Sequence, residues 1–326
     1  MSYREPKEEF DEEEEEENEK TVENEEEGGE GEGGEGEEEE IDDTVLVFDL
    51  GSGVSKIGLA GERKPRHTFH SVVGEPYGPL KGNLEWSVGA WVVTQKGYRT
   101  RLPVEWGVIK DWEAYEHLLE FSYNLLSLKT SDYPLFLTEP QVNPLNAREK
   151  TATVLFEKLE VPHMFLASQV VMGLYASSNL TGVMVNIGEG TTDIVPYYDG
   201  RGQHLAHAAT SHEISGRDMT EYMMMLLARE KGYQFFTRAE RELIRNMKDN
   251  LSYIPLDYEN ELKRMSYAHS DFYSTSYQLP NHQFIDVGKE KCLCPEILFK
   301  PFLADAMVFL IRFNSVYFYL FIYSFN

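Results

Sequence analysis

Two stretches of the chain share one pattern, in which an apolar run ends at a Gly-x-Gly turn and a second β-rich run follows. The first, TVLVFDLGSGVSKIGLAG, covers residues 44–61, and the second, VMVNIGEGTTDIVPYYDG, covers residues 183–200. Apolar and β-branched runs bounded by glycine are typical of strands, so each stretch predicts a hairpin. For the first hairpin we expect strands over Val45–Asp49 and Ser55–Ala60.

Elsewhere apolar positions recur at three- and four-residue spacing, which is typical of helices. We expect helices over Trp112–Leu126 (after Asp111), Ala147–Leu159 (after Asn146), Ser168–Ala176 and Arg217–Lys231. Another helix should follow the capping-box spacing of Thr237 and Glu240. With a short strand at Pro134–Thr138, the alternation of strands and helices predicts an α/β fold with mixed sheets.

The acidic residues are concentrated at the start of the chain, whose 326 residues carry a formal charge of −26. Residues 1–43 hold 24 acidic and three basic side chains, a charge of −21, so the rest is close to neutral. A run so poor in apolar residues cannot offset its ordering entropy, which predicts a disordered acidic tail. This tail is either a docking site for basic proteins or a solubilising extension, and it argues against direct nucleic-acid binding.

Cysteine content and the chain ends bear on the cellular compartment. Cys292 and Cys294 are the only cysteines, which argues against a disulfide framework or a zinc site and suits a reducing compartment. The first residues contain no apolar signal region. Met307–Phe325 is apolar enough to suggest a membrane span, but Arg312 and Asn314 near its middle favour a divergent apolar tail. We therefore expect no membrane partner.

The two glycine turns are suited to holding an anion. Backbone N–H groups in such turns point into a small concavity, and glycine leaves room for a phosphate to approach. Neither turn fits the Rossmann fingerprint, because a strand follows it, and neither is followed by the GK[ST] of a P-loop. Since one hairpin lies in each half of the chain, we expect a polyphosphate to bind between two related lobes.

Beyond the hairpins, long stretches of the sequence resemble actin and the actin-related proteins. The likeness begins at DLGSGVSKIGLAGE and continues in order through VEWGVIKDWEAYEHLLEFSYN, LFLTEPQVNPLNAREKTATVLFEKLEVPHMFLASQVVMGLYAS and TRAERELIRNMKDNLSYIPLDYENE to CPEILFKP. It covers Thr44 to about Pro301 nearly continuously. The resemblance implies an actin-like α/β fold, of the type found in Hsp70 and hexokinase, in which two related lobes with mixed sheets surround a nucleotide cleft.

On this basis the chain divides into four parts. Residues 1–43 form the acidic tail, and residues 44–168 form a small actin lobe with the first phosphate hairpin. Residues 169–301 form an incomplete large lobe with the second hairpin, and residues 302–326 form the apolar tail. The family's final portion, including the loop that closes over adenine, has no match in this sequence. We therefore expect a fold without its C-terminal portion, as in a truncated or alternative product.

The resemblance also implies a site for ATP or ADP with Mg²⁺ or Ca²⁺. Asp49 matches the carboxylate that holds the metal through water. The positions that match nucleotide contacts are Gly51, Ser52, Gly53 and Lys56 in the first hairpin, Gly188, Glu189 and Gly190 in the second, and Gly216, Lys248 and Asp249 further along.

Three matched positions bear on hydrolysis, which requires an oriented water in line with the terminal phosphate. Gln169 matches the glutamine that orients this water. Asn186 replaces an aspartate, and an amide carries no charge and cannot take up a proton at neutral pH. Asp193 replaces a histidine and is expected to put an anion near the polyphosphate. This degenerate site favours slow turnover or none, and hence a protein that is not an active enzyme.

Three functions remain compatible with the sequence. We favour an actin-like cytoskeletal or scaffold protein of the cytoplasm that binds ATP and partners cytoskeletal or actin-binding proteins, including conventional actin. The alternative is a nuclear actin-related subunit of a chromatin-associated complex, in which residues 1–43 bind basic proteins. A second alternative is a filament-forming ATPase.

Overall fold

The computed structural model describes residues 44–78, 82, 84–179, 181–198, 204–267, 273–279 and 282–304. The acidic residues 1–43 and the apolar segment Met307–Phe325 lie outside these ranges. Within the described ranges, no helix is long and apolar enough to cross a membrane. The α/β class with mixed sheets that the sequence predicts is confirmed.

Among the described elements, eight strands precede the first α-helix, and helices and strands are interspersed after it. The described strands are β1 (Leu46–Leu50), β2 (Val54–Leu59), β3 (His67–His70), β4 (Val73–Pro76), β5 (Ser87–Val88), β6 (Tyr98–Arg101), β7 (Val104–Glu105), β8 (Val108–Ile109), β9 (Leu135–Glu139), β10 (Met164–Ser168), β11 (Gly182–Ile187), β12 (Thr192–Tyr197), β13 (Thr210–His212), β14 (Thr275–Gln278) and β15 (Phe284–Val287). The described α-helices are α1 (Trp112–Leu126), α2 (Leu145–Thr153), α3 (Gln169–Ala176), α4 (Gly216–Lys231), α5 (Arg238–Leu251), α6 (Tyr258–Tyr267) and α7 (Glu290–Glu296).

Residues 44–168, called the first lobe after the division expected from the sequence, contain a five-stranded sheet with the order β10-β9-β1-β2-β3. Strand β1 pairs antiparallel with β2 and parallel with β9, so the sheet is mixed. Alternate residues of β1, including Leu46 and Phe48, are fully buried, as expected of a strand with one face on a core. Helix α1 joins this core, and its N-cap is Asp111, whose side chain accepts a hydrogen bond from the backbone N–H of Ala114 at 3.2 Å.

The described residues from 169 onward, called the second lobe in the same sense, contain two smaller cores. Helix α3 packs on one face of the antiparallel sheet β11-β12-β13, where Val170 and Val195 are fully buried. Helices α4, α5 and α7 pack with the hairpin of β14 and β15 around Met223 and Ile244. The predicted capping box at the start of α5 is present, with reciprocal hydrogen bonds between Thr237 and Glu240.

The lobes also contact each other through an ion pair beside a tryptophan. Arg217 of α4 donates from Nη1 to Oε2 of Glu105 in β7 at 2.9 Å. The same guanidinium lies 5.2 Å from the ring centroid of Trp106, within the range of a cation–π contact. Because Arg217 belongs to the second lobe and both partners to the first, these contacts bind the lobes together.

Several predicted boundaries are wrong by one or two residues. Helix α2 begins at Leu145 instead of Ala147, and its N-cap is Pro144 instead of Asn146. The helix starts earlier because the carbonyl of Pro144 accepts hydrogen bonds from the N–H groups of Ala147 at 2.9 Å and Arg148 at 3.2 Å. Only three residues separate β1 from β2 along the chain. Strand β1 therefore lies one residue later, and β2 one residue earlier, than expected.

The outer strand of the second sheet exposes apolar side chains. Val183, Val185 and Ile187 of β11 are between 50% and 65% exposed, on the face away from α3. Among the described strands, β11 pairs with β12 alone, so one edge of its backbone has no strand beside it. An edge strand with an apolar face favours association with another chain.

Val185→Lys in the full chain should therefore reduce concentration-dependent self-association, measured by sedimentation velocity. The free energy of unfolding should change by less than about 0.5 kcal/mol, because the side chain is half exposed. Phe236→Lys is the matched control, since Phe236 is 83% exposed but lies outside any strand. Unchanged self-association of the Val185 variant would show that the edge of β11 is not the associating surface.

Candidate functional site

The two glycine turns meet at a cavity of about 540 Å³ between the lobes. A Cβ atom on Gly190 would lie 2.5 Å from Oγ of Ser52, and one on Gly53 would lie 2.7 Å from Cβ of Glu189. Side chains at these two positions would collide with the opposite turn, so glycine is what allows the approach. The volume lies within the range of about 300–1,000 Å³ that is typical of small-molecule sites.

Most residues assigned from the resemblance are brought together at this cavity. The assigned residues that line it are Asp49, Gly51, Ser52, Gly53, Lys56, Gln169, Asn186, Gly188, Glu189, Gly190, Gly216, Lys248 and Asp249. They come from both lobes and from segments as much as 200 residues apart, so only the tertiary fold assembles them.

Asp49, at the end of β1, is the most extensively bonded of these side chains. Its Oδ1 accepts hydrogen bonds from Oγ1 of Thr138 at 2.5 Å and from Nε2 of Gln169 at 2.8 Å. Its Oδ2 accepts from Nζ of Lys56 at 3.1 Å. These bonds fix the carboxylate at the cavity wall, in an orientation that suits contact with a hydrated cation. Within the described ranges, no cluster of three or more histidine, cysteine or acidic side chains is arranged to bind a metal directly.

The second glycine turn is attached to the start of α4. The backbone N–H of Gly216 donates to the carbonyl of Gly188 at 2.9 Å, and that of Arg217 donates to the carbonyl of Glu189 at 3.0 Å. The hydroxyl of Ser215 donates to the same Glu189 carbonyl at 2.7 Å. The turn and the helix N-terminus therefore face the cavity as one unit, and the positive end of the helix dipole favours an anion there.

Lys248 is buried at the cavity wall, although its position alone would suggest an exposed helix face. Its side chain is 5% exposed, and Nζ donates to the carbonyl of Gly216 at 3.0 Å and to Oγ1 of Thr220 at 3.2 Å. Nζ also lies 3.3 Å from Oδ1 of Asp249, whose side chain is largely exposed. Burying an ammonium group costs free energy unless it is paired. The contacts of Lys248 therefore keep a positive charge at the cavity wall that can attract an anion.

Arg245 and Thr138 are cavity residues that the sequence did not reveal. The side chain of Arg245 is 9% exposed, and its Nη1 lies 3.1 Å from Nδ1 of His70 in the first lobe. A signal was available, because Arg245 precedes Lys248 by three residues and so shares its helix face. Thr138 reaches the cavity because its strand β9 pairs in parallel with β1, and the carboxyl ends of parallel strands meet at one edge of a sheet.

Asp193 does not join the other assigned residues at the cavity. It pairs across the hairpin with Asn186, which does line the cavity. The Asp193 side chain is buried, and its Oδ2 accepts a hydrogen bond from Oγ1 of Thr191 at 3.3 Å. It also lies near His212, where burial lowers the pKa of the imidazole and the Asp193 charge opposes that shift. Thr191, which lines the cavity, therefore stands between the Asp193 carboxylate and the cavity.

The charged side chains at the cavity are balanced. Those of the described lining are the cations of Lys56, Arg245 and Lys248 and the carboxylates of Asp49, Glu189 and Asp249. Each cation has a carboxylate oxygen within 4.0 Å. An anionic ligand must therefore compete with carboxylates that the protein itself supplies, or be accompanied by a cation.

The residues present fit a nucleoside polyphosphate accompanied by a hydrated divalent cation. The glycine turns offer backbone N–H groups to phosphate, and the dipole of α4 adds its positive end although its first N–H groups are bonded to the second turn. Lys56, whose side chain is 52% exposed, is free to reorient toward a phosphate as a point charge. Asp49 offers a fixed carboxylate to the waters of a metal ion.

A comparison with protein families gives an independent result. The family model described as Actin matches residues 41–307, about four fifths of the chain. The matched range contains both glycine turns and every residue that lines the cavity. Members of this family are ATPases that typically bind nucleotide together with a divalent cation. The chain belongs to the actin family.

Proposed function

We propose that the protein is an actin-like cytoskeletal or scaffold protein that binds ATP with Mg²⁺ or Ca²⁺ and hydrolyses it slowly or not at all. The observation that carries this proposal is the meeting of two glycine turns from different lobes beside a fixed carboxylate. A ligand held by both turns contacts both lobes at once, so its binding stabilises their closed arrangement.

The cavity residues have distinct roles in holding such a ligand. The backbone of both turns and Lys56 bind phosphate oxygens, while Asp49 holds the waters around the metal. The metal, when bound, neutralises phosphate charge. Lys248 offers a nearly buried positive charge beside Gly216, and Arg245 offers another beside Gly53 of the first turn.

The same geometry supports weak hydrolysis. Gln169 donates its Nε2 to Asp49, which leaves its carbonyl oxygen to accept from an attacking water. Asn186 cannot remove a proton from that water, and Asp193 is absent from the described cavity lining. A water is therefore oriented without a base on the second hairpin to activate it.

Partners and location follow as part of the proposal. A scaffold of this family is expected in the cytoplasm, with actin-binding proteins or conventional actin as partners. The charge of −21 on residues 1–43 favours the alternative of a nuclear, chromatin-associated subunit that binds basic proteins.

Lys56→Ala should weaken Mg-ATP binding about tenfold, because a charge-assisted contact to phosphate is lost. Isothermal titration calorimetry on the full chain measures this directly. Lys158→Ala is the matched control, since Lys158 is similarly exposed and pairs with Glu116 on the surface at 2.6 Å. If the Lys56 variant binds Mg-ATP as tightly as the parent, the first turn does not hold phosphate.

Asn186→Asp should raise the rate of phosphate release from Mg-ATP about tenfold or more, because a general base contributes roughly 10²–10⁴-fold in suitable sites. Gln169→Ala in the same background should remove that gain. Single-turnover phosphate release at saturating Mg-ATP is the appropriate measurement. A parent protein that already turns over as fast as conventional actin would contradict the inactive-site argument.

Removing residues 1–43 distinguishes the two proposed locations. If the nuclear alternative is correct, histones should co-purify with the full chain but not with the chain that lacks residues 1–43. High salt should weaken the association of histones with the full chain, because it screens the charges. An exposed acidic stretch of another protein, fused to the shortened chain, controls for charge alone. A tagged chain that remains cytoplasmic and retains actin-binding partners without residues 1–43 supports the scaffold function instead.

A further inference from the structure

We propose that His70 is a positioning residue for the nucleotide site, which holds Arg245 at the cavity when its imidazole is neutral and releases it when the imidazole is protonated. The inference rests on the nucleotide-binding function proposed above and adds a dependence of nucleotide affinity on pH. His70 is the last residue of β3 in the first lobe, whereas Arg245 and Glu242 belong to α5 in the second lobe.

A single ring nitrogen of His70 faces a donor and an acceptor at once. Its Nδ1 lies 3.1 Å from Nη1 of Arg245 and 3.3 Å from Oε2 of Glu242. A guanidinium only donates hydrogen bonds and a carboxylate only accepts them, whereas a ring nitrogen carries either a lone pair or a proton. Nδ1 therefore accepts from Arg245 when the neutral ring has its proton on Nε2, and it donates to Glu242 when the ring is charged.

The carboxylate of Glu242 is placed to bind the protonated ring. Its Oε2 is buried and has no hydrogen-bond partner among the described residues. Burial raises the pKa of this carboxyl, but the contacts with His70 and Arg245 outweigh burial and bring the pKa below its usual value. A buried acceptor that lacks a donor costs free energy, so a proton on Nδ1 is stabilised by the bond that it completes.

The other charges near the ring come from α5 and from the second glycine turn. Oε1 of Glu242 lies 3.6 Å from Nη1 of Arg245, and Arg241 adds a positive charge near Glu242. Glu189 of the turn places its Oε2 3.9 Å from Nε of Arg245. In the described part of the chain, the charged side chains in contact with His70 are those of Glu242 and Arg245.

The sheet brings one more cation to the same face as His70. Lys56 of β2 pairs with Thr68, two residues before His70, so the two side chains lie on one face. The ammonium of Lys56 is bonded to Asp49, however, at 3.1 Å. His67 lies three residues from His70 and therefore on the opposite face of β3.

The position of Arg245 matters to a ligand because its guanidinium reaches the first glycine turn. Nη2 lies 2.7 Å from where a Cβ on Gly53 would stand, and the side chain lines the cavity. The bond from Nη1 to His70 fixes this charge beside the turn that binds phosphate. A proton on Nδ1 removes the bond and makes the two cations repel each other, so the site loses a fixed positive charge.

The test measures Mg-ATP affinity by calorimetry at about pH 8 and about pH 6, the range in which imidazole changes its charge. It compares the full parent chain with His70→Asn and His70→Leu. The amide oxygen of asparagine is bonded to Cγ, as Nδ1 is, so it accepts from Arg245 at both pH values. Leucine offers no acceptor. Comparing variants at the same pH cancels the titration of ATP itself.

We expect His70→Asn to bind like the parent at the higher pH and about fivefold more tightly than the parent at the lower pH. His70→Leu should bind about fivefold more weakly than His70→Asn at both pH values, because Arg245 has lost its acceptor. Thermal unfolding confirms that each variant is folded.

His117→Asn is the matched control. The His117 side chain is 29% exposed, compared with 27% for His70, and its Nδ1 lies 3.1 Å from Oε2 of Glu120. His117 does not belong to the described cavity lining. The affinity of this variant relative to the parent should therefore be the same at both pH values.

A second readout requires no ligand. NMR of the ring nitrogens shows which nitrogen carries the proton, and the His70 signals are identified by their absence in His70→Asn. At the higher pH we expect the proton on Nε2 and the lone pair on Nδ1, as the bond from Arg245 requires.

The outcomes separate this inference from the proposed function. If the affinities of the parent and His70→Asn keep one ratio at both pH values, or if His70→Leu binds as tightly as His70→Asn, the role of His70 is wrong and nucleotide binding stands. A pH-dependent ratio for His117→Asn as well would show a general effect of removing a histidine and would overturn the inference. A proton on Nδ1 at the higher pH would overturn it whatever the chain binds. If neither the parent nor any variant binds Mg-ATP, the nucleotide-binding function itself is wrong, and the role of His70 in it is wrong too.

Discussion

The contact between the two glycine turns is the constraint on which the rest of the site depends. The turns approach so closely that Gly53 and Gly190 have no room for a side chain. This approach brings the carboxylate of Asp49 and the N-terminus of α4 to one cavity. The phosphate binding proposed for the site depends on that approach.

Local patterns in the sequence predicted much of the fold because local forces decide those elements. The two hairpins, the N-cap of α1 by Asp111 and the capping box at Thr237 all depend on residues within one turn of each other. The start of α2 was wrong because Pro144 acts as its N-cap. The resemblance to actin placed most of the cavity lining.

What the sequence could not show depends on tertiary pairing. Arg245 and Thr138 reach the cavity through their neighbours on a helix face and a parallel strand, and neither carries a motif of its own. Asp193 is the opposite case. Its position was assigned to the site from the resemblance, but its side chain is bonded to Thr191 and is not part of the described cavity lining. The ion pair of Arg245 with Glu189 also required the structure, because it joins distant segments.

The most direct test of the central claim is the stability of Gly190→Val in the full chain. A Cβ at this position would lie 2.5 Å from Oγ of Ser52 and 2.9 Å from the backbone N of Gly107. Gly82→Val is the matched control, because a Cβ there would meet nothing within 4 Å. With both turns in contact, Gly190→Val should lower the melting temperature by about 2 °C or more, and Gly82→Val should leave it unchanged. A Gly190→Val variant as stable as the parent would contradict the convergence of the turns.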